Sequence, residues 1–143
     1  VKLDDEYYHV DATSDTTEVN GAKKVMHRYF NLSDEELMQT HTIDREFEIV
    51  KCEGKKYNFY TYNDYQVKYT ESLRSKLIKI INKQLSAPVI EFRMEGLYST
   101  QTLLEELYYM NFNGWEDTKQ TTVSYHKLED IYIFENKNRK RLY

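Results

Sequence analysis

A short stretch near the N-terminus carries the side chains best placed to do chemistry. Residues 7–15 alternate between apolar and polar positions, which is typical of a half-buried strand. Asp11 comes where this strand meets the turn-prone residues 13–17. A carboxylate at a strand end can orient a histidine on a neighbouring strand, the third-member role in a nucleophilic triad. The same position is also typical of a surface turn, and spacing alone favours the turn. The two predicted faces of the strand are Tyr8, Val10 and Ala12 (apolar), and Tyr7, His9 and Asp11 (polar).

Two ordered segments of the chain resemble one enzyme family. Residues 7–15, YYHVDATSD, resemble the strand that supplies the triad Asp in bacterial transglutaminase-like (Cys-His-Asp) proteins. Residues 29–38, YFNLSDEELM, followed by HTID at 41–44, resemble a second run of the same family. The resemblance implies that Asp11 is a catalytic residue that orients the general base. It also implies amide-bond chemistry on protein or peptide substrates, by proteolysis, deamidation or cross-linking.

The order of the triad in that family is Cys, then His, then Asp. Because Asp11 matches the third member, the resemblance implies that the Cys and His lie upstream of Val1. The chain is then expected to be a fragment that is inactive by itself, and no cofactor or metal is implied. Ser14 stands where the family has Trp, which favours an alternative: a non-catalytic binding module of a bacterial surface protein. The expected partners are a protein or peptide substrate, or a cell-wall component.

The remaining cysteine and histidines give weaker signals. Cys52, the single cysteine, follows Asp11 in the chain and lies beside Glu53, in acidic surroundings that disfavour a thiolate. We interpret it as a bystander and His9 as a packing residue, while His41 is expected to make structural hydrogen bonds. The histidines lack metal-ligand spacing.

Composition limits the class of protein. The 143 residues carry a net charge of −4, 40% hydrophobic residues and one proline, which is typical of a globular chain. No apolar run approaches the roughly 20 residues of a membrane span. Residues 1–6 lack the apolar region of a signal peptide, so none is expected here. Neither half has the clustered basic excess of a nucleic-acid binder. One cysteine is compatible with the cytoplasm or a Gram-positive exterior, and the resemblance favours an extracellular or cell-surface location.

A shift in charge suggests two parts. Residues 1–54 hold 13 acidic and 6 basic side chains, whereas residues 55–143 hold 11 acidic and 14 basic ones. We therefore predict the C-terminal part of a transglutaminase-like domain over 1–54 and a small α/β accessory domain over 55–143. Half a sheet that begins at Val1 should leave an unpaired edge, so either self-association or a missing companion segment is expected.

Local patterns predict the elements of the first part. Ser33 and Glu36 form a capping-box pattern at the start of a helix over 34–40. The remaining residues are predicted to form a loop over 18–24 and strands over 25–32 and 47–50.

The second part is predicted to alternate strands and helices. Aromatic residues favour a strand over 57–62, and a second strand follows at 65–69. A helix capped by Thr70 carries an apolar stripe and ends near Ser86, before Pro88. A strand over 89–94, a helix capped by Ser99, and a hairpin of 121–125 with 131–135 complete the chain. The predicted class is α+β: half of an antiparallel sheet domain, followed by a layered unit with two helices on one face of a mixed sheet. The stripe consists of Leu73, Leu77, Ile80 and Ile81.

Overall fold

The computed structural model describes residues 1–19, 21–44, 46, 50–68, 72–94, 100–109, 125–128, 130–135 and 141–143. The class is α+β, as predicted, with helices and small sheets in both halves of the chain. Four predicted features lie wholly or mostly outside the described residues: the caps Thr70 and Ser99, and the strands over 47–50 and 121–125. Among the described helices, none has the length and apolar character needed to cross a bilayer.

The first 32 residues form short antiparallel pairs. β1 (Lys2–Leu3) pairs with β2 (Glu6–Tyr7). β3 (His9–Val10) pairs with β6 (Phe30–Leu32), and β4 (Thr16–Val19) pairs with β5 (Ala22–Val25). These described strands form separate two-stranded sheets.

The predicted apolar face of the first strand is wrong beyond Tyr8. Tyr8 is 1% exposed, but Val10 is 42% exposed, and Ala12 is exposed as well. The pairing of β3 with β6 shifts register between His9 and Val10. Such an irregularity interrupts the regular alternation of side chains, so a period of two cannot be carried through it.

The loop predicted over 18–24 is instead part of a hairpin. Thr16 pairs with Val25 and Val19 pairs with Ala22. The sequence Asn20-Gly21 between these strands is a strong two-residue hairpin signal. Gly21 has a φ of 78°, a conformation that glycine adopts at little cost.

A single helical turn, α1 (Asp34–Leu37), follows β6 as the capping box predicts. The Ser33 hydroxyl accepts the Glu36 N–H at 3.3 Å, and the Glu36 carboxylate accepts the Ser33 N–H at 2.9 Å. Two donors at the helix start are thereby satisfied.

The strand predicted over 57–62 is wrong, because residues 59–62 form the helix α2 (Phe59–Tyr62). The buried Asn58 side chain accepts the N–H groups of Tyr60 at 3.1 Å and of Thr61 at 3.4 Å. An Asn cap satisfies helix donors directly, and here it outweighs the weak strand preference of the aromatic residues.

The second half of the chain contains four further strands and two helices. They are β7 (Gln66–Val67), α3 (Leu73–Lys83), β8 (Val89–Met94), α4 (Thr100–Tyr109), β9 (Tyr125–Leu128) and β10 (Ile131–Glu135). The strands form a mixed sheet in the order β7-β8-β10-β9. β7 is parallel to β8, and β10 is antiparallel to both β8 and β9. The helix α3 connects the parallel strands, which require such a crossover.

One face of this sheet holds the main core. The predicted stripe of α3 is buried there with Leu103 and Leu107 of α4, against Phe92 and Phe134 of the sheet. This confirms two helices on one face of a mixed sheet. The N-cap of α3 is Ser72, so the predicted cap at Thr70 is wrong.

The opposite face of the sheet packs against the first half of the chain. Met26 and Tyr60 join Val89, Ile131 and Ile133 in a second buried cluster. Residues from both sides of position 54 therefore share one core. The division into two domains at that position stays a prediction.

Candidate functional site

Asp11 lies directly after β3, and its carboxylate is clamped by the turn that follows. Oδ1 accepts the backbone N–H groups of Thr13 and Ser14, each at 3.0 Å, and Oδ2 accepts the Ser14 hydroxyl at 2.6 Å. The backbone N–H of Asp11 donates to the Tyr29 carbonyl at 3.0 Å, so the turn is attached to the neighbouring chain segment. The turn role considered from the sequence is therefore present.

A histidine also meets this carboxylate. Nε2 of His41 lies 3.3 Å from Asp11 Oδ2, with both side chains 32% exposed. Nδ1 of His41 lies 2.8 Å from the Thr40 hydroxyl, and the edge of the ring packs against Tyr29. The imidazole is thus held between two polar partners. The structure brings together Asp11 and His41, one residue from each of the two segments that carry the family resemblance.

The electrostatics of Asp11 suit an orienting carboxylate. The Ser14 hydroxyl and the backbone N–H groups of Ser14 and Thr13 lower the pKa of Asp11, and His41 adds a smaller contribution. An ionised carboxylate can stabilise an imidazolium and select its tautomer. The catalytic role of Asp11 stays a prediction, because a nucleophile is also needed for acyl transfer.

A second cluster contains residues to which the sequence assigned no chemistry. Nε2 of His9 lies 2.6 Å from Oδ1 of Asp34, with side-chain exposures of 19% and 15%. Ligand atoms of His9, Asp34 and the buried Cys52 all lie within 4.8 Å of one another. His9 is therefore part of a polar cluster, and the sequence-based interpretation of it as a packing residue is incomplete.

Cys52 is poorly suited to nucleophilic attack. The residue is 5% exposed, and its thiol donates to the Val50 carbonyl at 3.6 Å. Burial and the nearby charge of Asp34 raise the pKa of Cys52. Reactive cysteines have a lowered pKa and an accessible sulfur. In the structure as it stands, the cluster is thus not an activated Cys-His-Asp triad.

A third polar centre, at Glu91, lies between the sheet and the first half. Oε1 of Glu91 accepts the Tyr60 hydroxyl at 2.8 Å and the His27 N–H at 2.9 Å, and Oε2 lies 2.9 Å from His27 Nδ1. Glu91 is 2% exposed and Tyr60 is fully buried. These contacts join the buried Glu91 and Tyr60 to the half-buried His27 of the first half, which is typical of a structural network.

Sequence reasoning missed the His9 cluster because its members are far apart in the chain. His9 and Asp34 are 25 residues apart, so metal-ligand spacing rules do not apply. One signal was available. If β3 pairs with β6, then Asp34, which follows the Ser33 cap at the end of β6, lies near His9.

The chain matches no protein-family model, no curated protein and no solved structure.

Proposed function

We propose that this chain is part of a transglutaminase-like cysteine enzyme acting on amide bonds of proteins or peptides, and that it supplies the orienting carboxylate, Asp11. The observation that carries the proposal is the carboxylate itself. Backbone and hydroxyl donors hold it in place and lower its pKa. A fixed, ionised carboxylate is what an orienting residue requires.

The arrangement of the two resembling segments supports the same proposal. The first segment, residues 7–15, contains Asp11, and the second contains Tyr29 and His41, both of which contact Asp11. Segments that resemble two parts of one family domain thus lie side by side, as they would in a shared fold.

The nucleophile and the general base are proposed to come from sequence that precedes Asp11 in the parent polypeptide. The family order of Cys, His and Asp requires this, and the buried thiol of Cys52 is a poor substitute. The 143-residue chain is accordingly expected to have no peptidase or transglutaminase turnover.

One observation favours a second candidate, a non-catalytic binding module of a bacterial surface protein. His41 already contacts Oδ2 of Asp11, and both of its ring nitrogens have polar partners. Since His41 already pairs with Asp11, the Asp11 carboxylate has an imidazole partner without a histidine from upstream sequence. The partner of such a module would be a cell-wall component or a surface protein.

Kinetics of the parent polypeptide, tested as Asp11→Asn and as the control His41→Gln, separate the two candidates. If Asp11 orients the general base, Asp11→Asn lowers kcat by about 10⁴-fold, as loss of a triad carboxylate does elsewhere. His41→Gln should change kcat by less than about tenfold. A parent sequence without a Cys and then a His before Asp11 would contradict the enzyme proposal. Absent turnover together with co-sedimentation with purified peptidoglycan would favour the binding module.

A further inference from the structure

We propose that His9, Asp34 and Cys52 form a binding site for Zn²⁺. The site shares no residue with the Asp11 centre, and the proposal does not depend on the function proposed above. One imidazole nitrogen, one carboxylate oxygen and the thiol sulfur lie within 4.8 Å of one another. Three donors of different chemical type converge on one point.

The backbone holds the three donors in place. His9 on β3 pairs with Leu32 on β6, and Asp34 is the first residue of α1. The backbone N–H of Asp34 donates to the Cys52 carbonyl at 2.7 Å, which fixes the segment carrying the thiol. Ligands on mutually bonded segments lose little conformational freedom when a metal binds.

The donor set is suited to zinc. Zinc proteins use thiolate, imidazole and carboxylate ligands at about 2.0–2.3 Å from the metal. A thiolate and a carboxylate with a neutral imidazole carry two negative charges, which balance Zn²⁺. Mg²⁺ and Ca²⁺ prefer oxygen ligands only, so Cys52 selects against them.

Access to the site comes from a cavity of about 410 Å³ that Asp34 and Cys52 help to line. Three protein ligands leave a fourth position for water or a substrate, as in catalytic zinc sites. Two lysines also line the cavity, and each pairs with a glutamate: Lys51 with Glu53 at 2.6 Å, and Lys55 with Glu35 at 2.8 Å. These ion pairs reduce the repulsion that an entering cation would meet.

Metal binding would replace the contact between His9 and Asp34. Their 2.6 Å separation is that of a direct hydrogen bond, whereas two ligands of one tetrahedral zinc lie about 3.5 Å apart. The pair must therefore open by about 1 Å, within the range of small side-chain rotations. Without metal, His9 and Asp34 share a proton, and with metal bound both would coordinate the Zn²⁺ that takes its place.

The test is titration of the reduced full chain with Co²⁺, a spectroscopic substitute for Zn²⁺. The wild type should give a thiolate-to-cobalt charge-transfer band at one equivalent, and Zn²⁺ should abolish it. Cys52→Ser should lack the band. His9→Gln and Asp34→Asn should bind at least about 100-fold more weakly, exceeding the usual effect of an outer-sphere partner. His41→Gln, a histidine outside the cluster, should behave as wild type.

A second readout keeps the test decisive if a variant fails to fold. Cys52 is the only cysteine, so alkylation of the chain reports on this thiol alone. Zn²⁺ at about ten times its Kd should slow alkylation of the wild type and of His41→Gln roughly tenfold. A wild type without a charge-transfer band and without protection from alkylation would overturn the site. Equal protection in a folded His9→Gln variant would remove His9 from it.

Discussion

His27 holds Glu91 through two contacts, its backbone N–H to Oε1 and its Nδ1 to Oε2, each at 2.9 Å. Glu91 belongs to β8 and His27 to the segment after β5, so this pair joins the sheet to the first half of the chain. The ring of His27 also stacks on Phe59 at 3.9 Å between ring centres. The two halves therefore meet through apolar and aromatic side chains, with the buried carboxylate of Glu91 among them.

The first prediction concerns that buried charge. Glu91→Gln keeps the size of the side chain and an oxygen for Tyr60, but removes the negative charge facing His27. Burial lowers the pKa of His27, whereas the hydrogen bond to Glu91 and the charges of Glu91 and Asp15 raise it by more. The protonated form of His27 is thus stabilised by Glu91 in the folded chain. The variant should lose about 1–3 kcal/mol of unfolding free energy at pH 6 and less at pH 8.

Urea denaturation at both pH values measures this difference. Glu35→Gln is the control, because Glu35 pairs with Lys55 on the surface, where ion pairs contribute little. It should change stability by less than about 0.5 kcal/mol. An equal effect of the two substitutions would show that the Glu91 network does not hold the halves together.

The second prediction is a pH dependence that arises from Asp15. Burial raises the pKa of Asp15 from 3.8 to about 6, and the Tyr29 N–H, which donates to Oδ1 at 2.7 Å, only partly opposes it. Between pH 3.8 and about 6, Asp15 is mostly ionised in the unfolded chain but still protonated in the folded chain. The unfolding free energy should therefore fall as pH rises from about 4 to 6, by up to about 3 kcal/mol from this group.

Asp15→Asn isolates this contribution, because Asn still offers an oxygen to the Tyr29 N–H and does not titrate. As pH rises from 4 to 6, the wild type should lose unfolding free energy through Asp15, and the variant should not. The variant should therefore become more stable relative to the wild type over this range. Chemical denaturation at several pH values measures it. A difference that stays constant over that range would refute a raised pKa for Asp15.

The third prediction concerns the start of α2. The Asn58 oxygen accepts two helix N–H groups and also Nη2 of Arg93 at 3.0 Å. Asn58→Ala should cost about 1–3 kcal/mol, because a buried cap and a charged donor lose their partner together. Ser72→Ala is the matched control, since Ser72 precedes α3 without a side-chain capping bond. Thermal unfolding should separate the two variants clearly, and similar losses would contradict the cap.

The fourth prediction tests the close approach of Gly54 to Tyr8. A Cβ at position 54 would overlap the Tyr8 ring, which is buried and has little room to move. Gly54→Ala should therefore destabilise the chain by about 1–3 kcal/mol through overpacking. At Gly21 a Cβ would meet open space, so Gly21→Ala should cost only about 1 kcal/mol of backbone strain. Denaturation midpoints that rank the two variants in the reverse order would refute the contact.

Much of the fold could be predicted from local patterns. The α1 capping box, the buried stripe of α3, and β8 all appear where the sequence indicates. Each depends on residues within about four positions of one another, so the sequence contains the relevant interaction. α2 was missed because the capping bonds of Asn58 compete with strand preferences of similar size.

The sequence by itself determined the α+β class, the amphipathic helices and the turn around Asp11, because these depend on local hydrogen bonds and side-chain periodicity. Only the tertiary structure decided which distant side chains meet: His41 with Asp11, His27 with Glu91, and His9 with Asp34 and Cys52. Those meetings depend on strand register and on the packing of segments far apart in the chain. A shift of one residue in register would move a side chain to the opposite face and separate such groups.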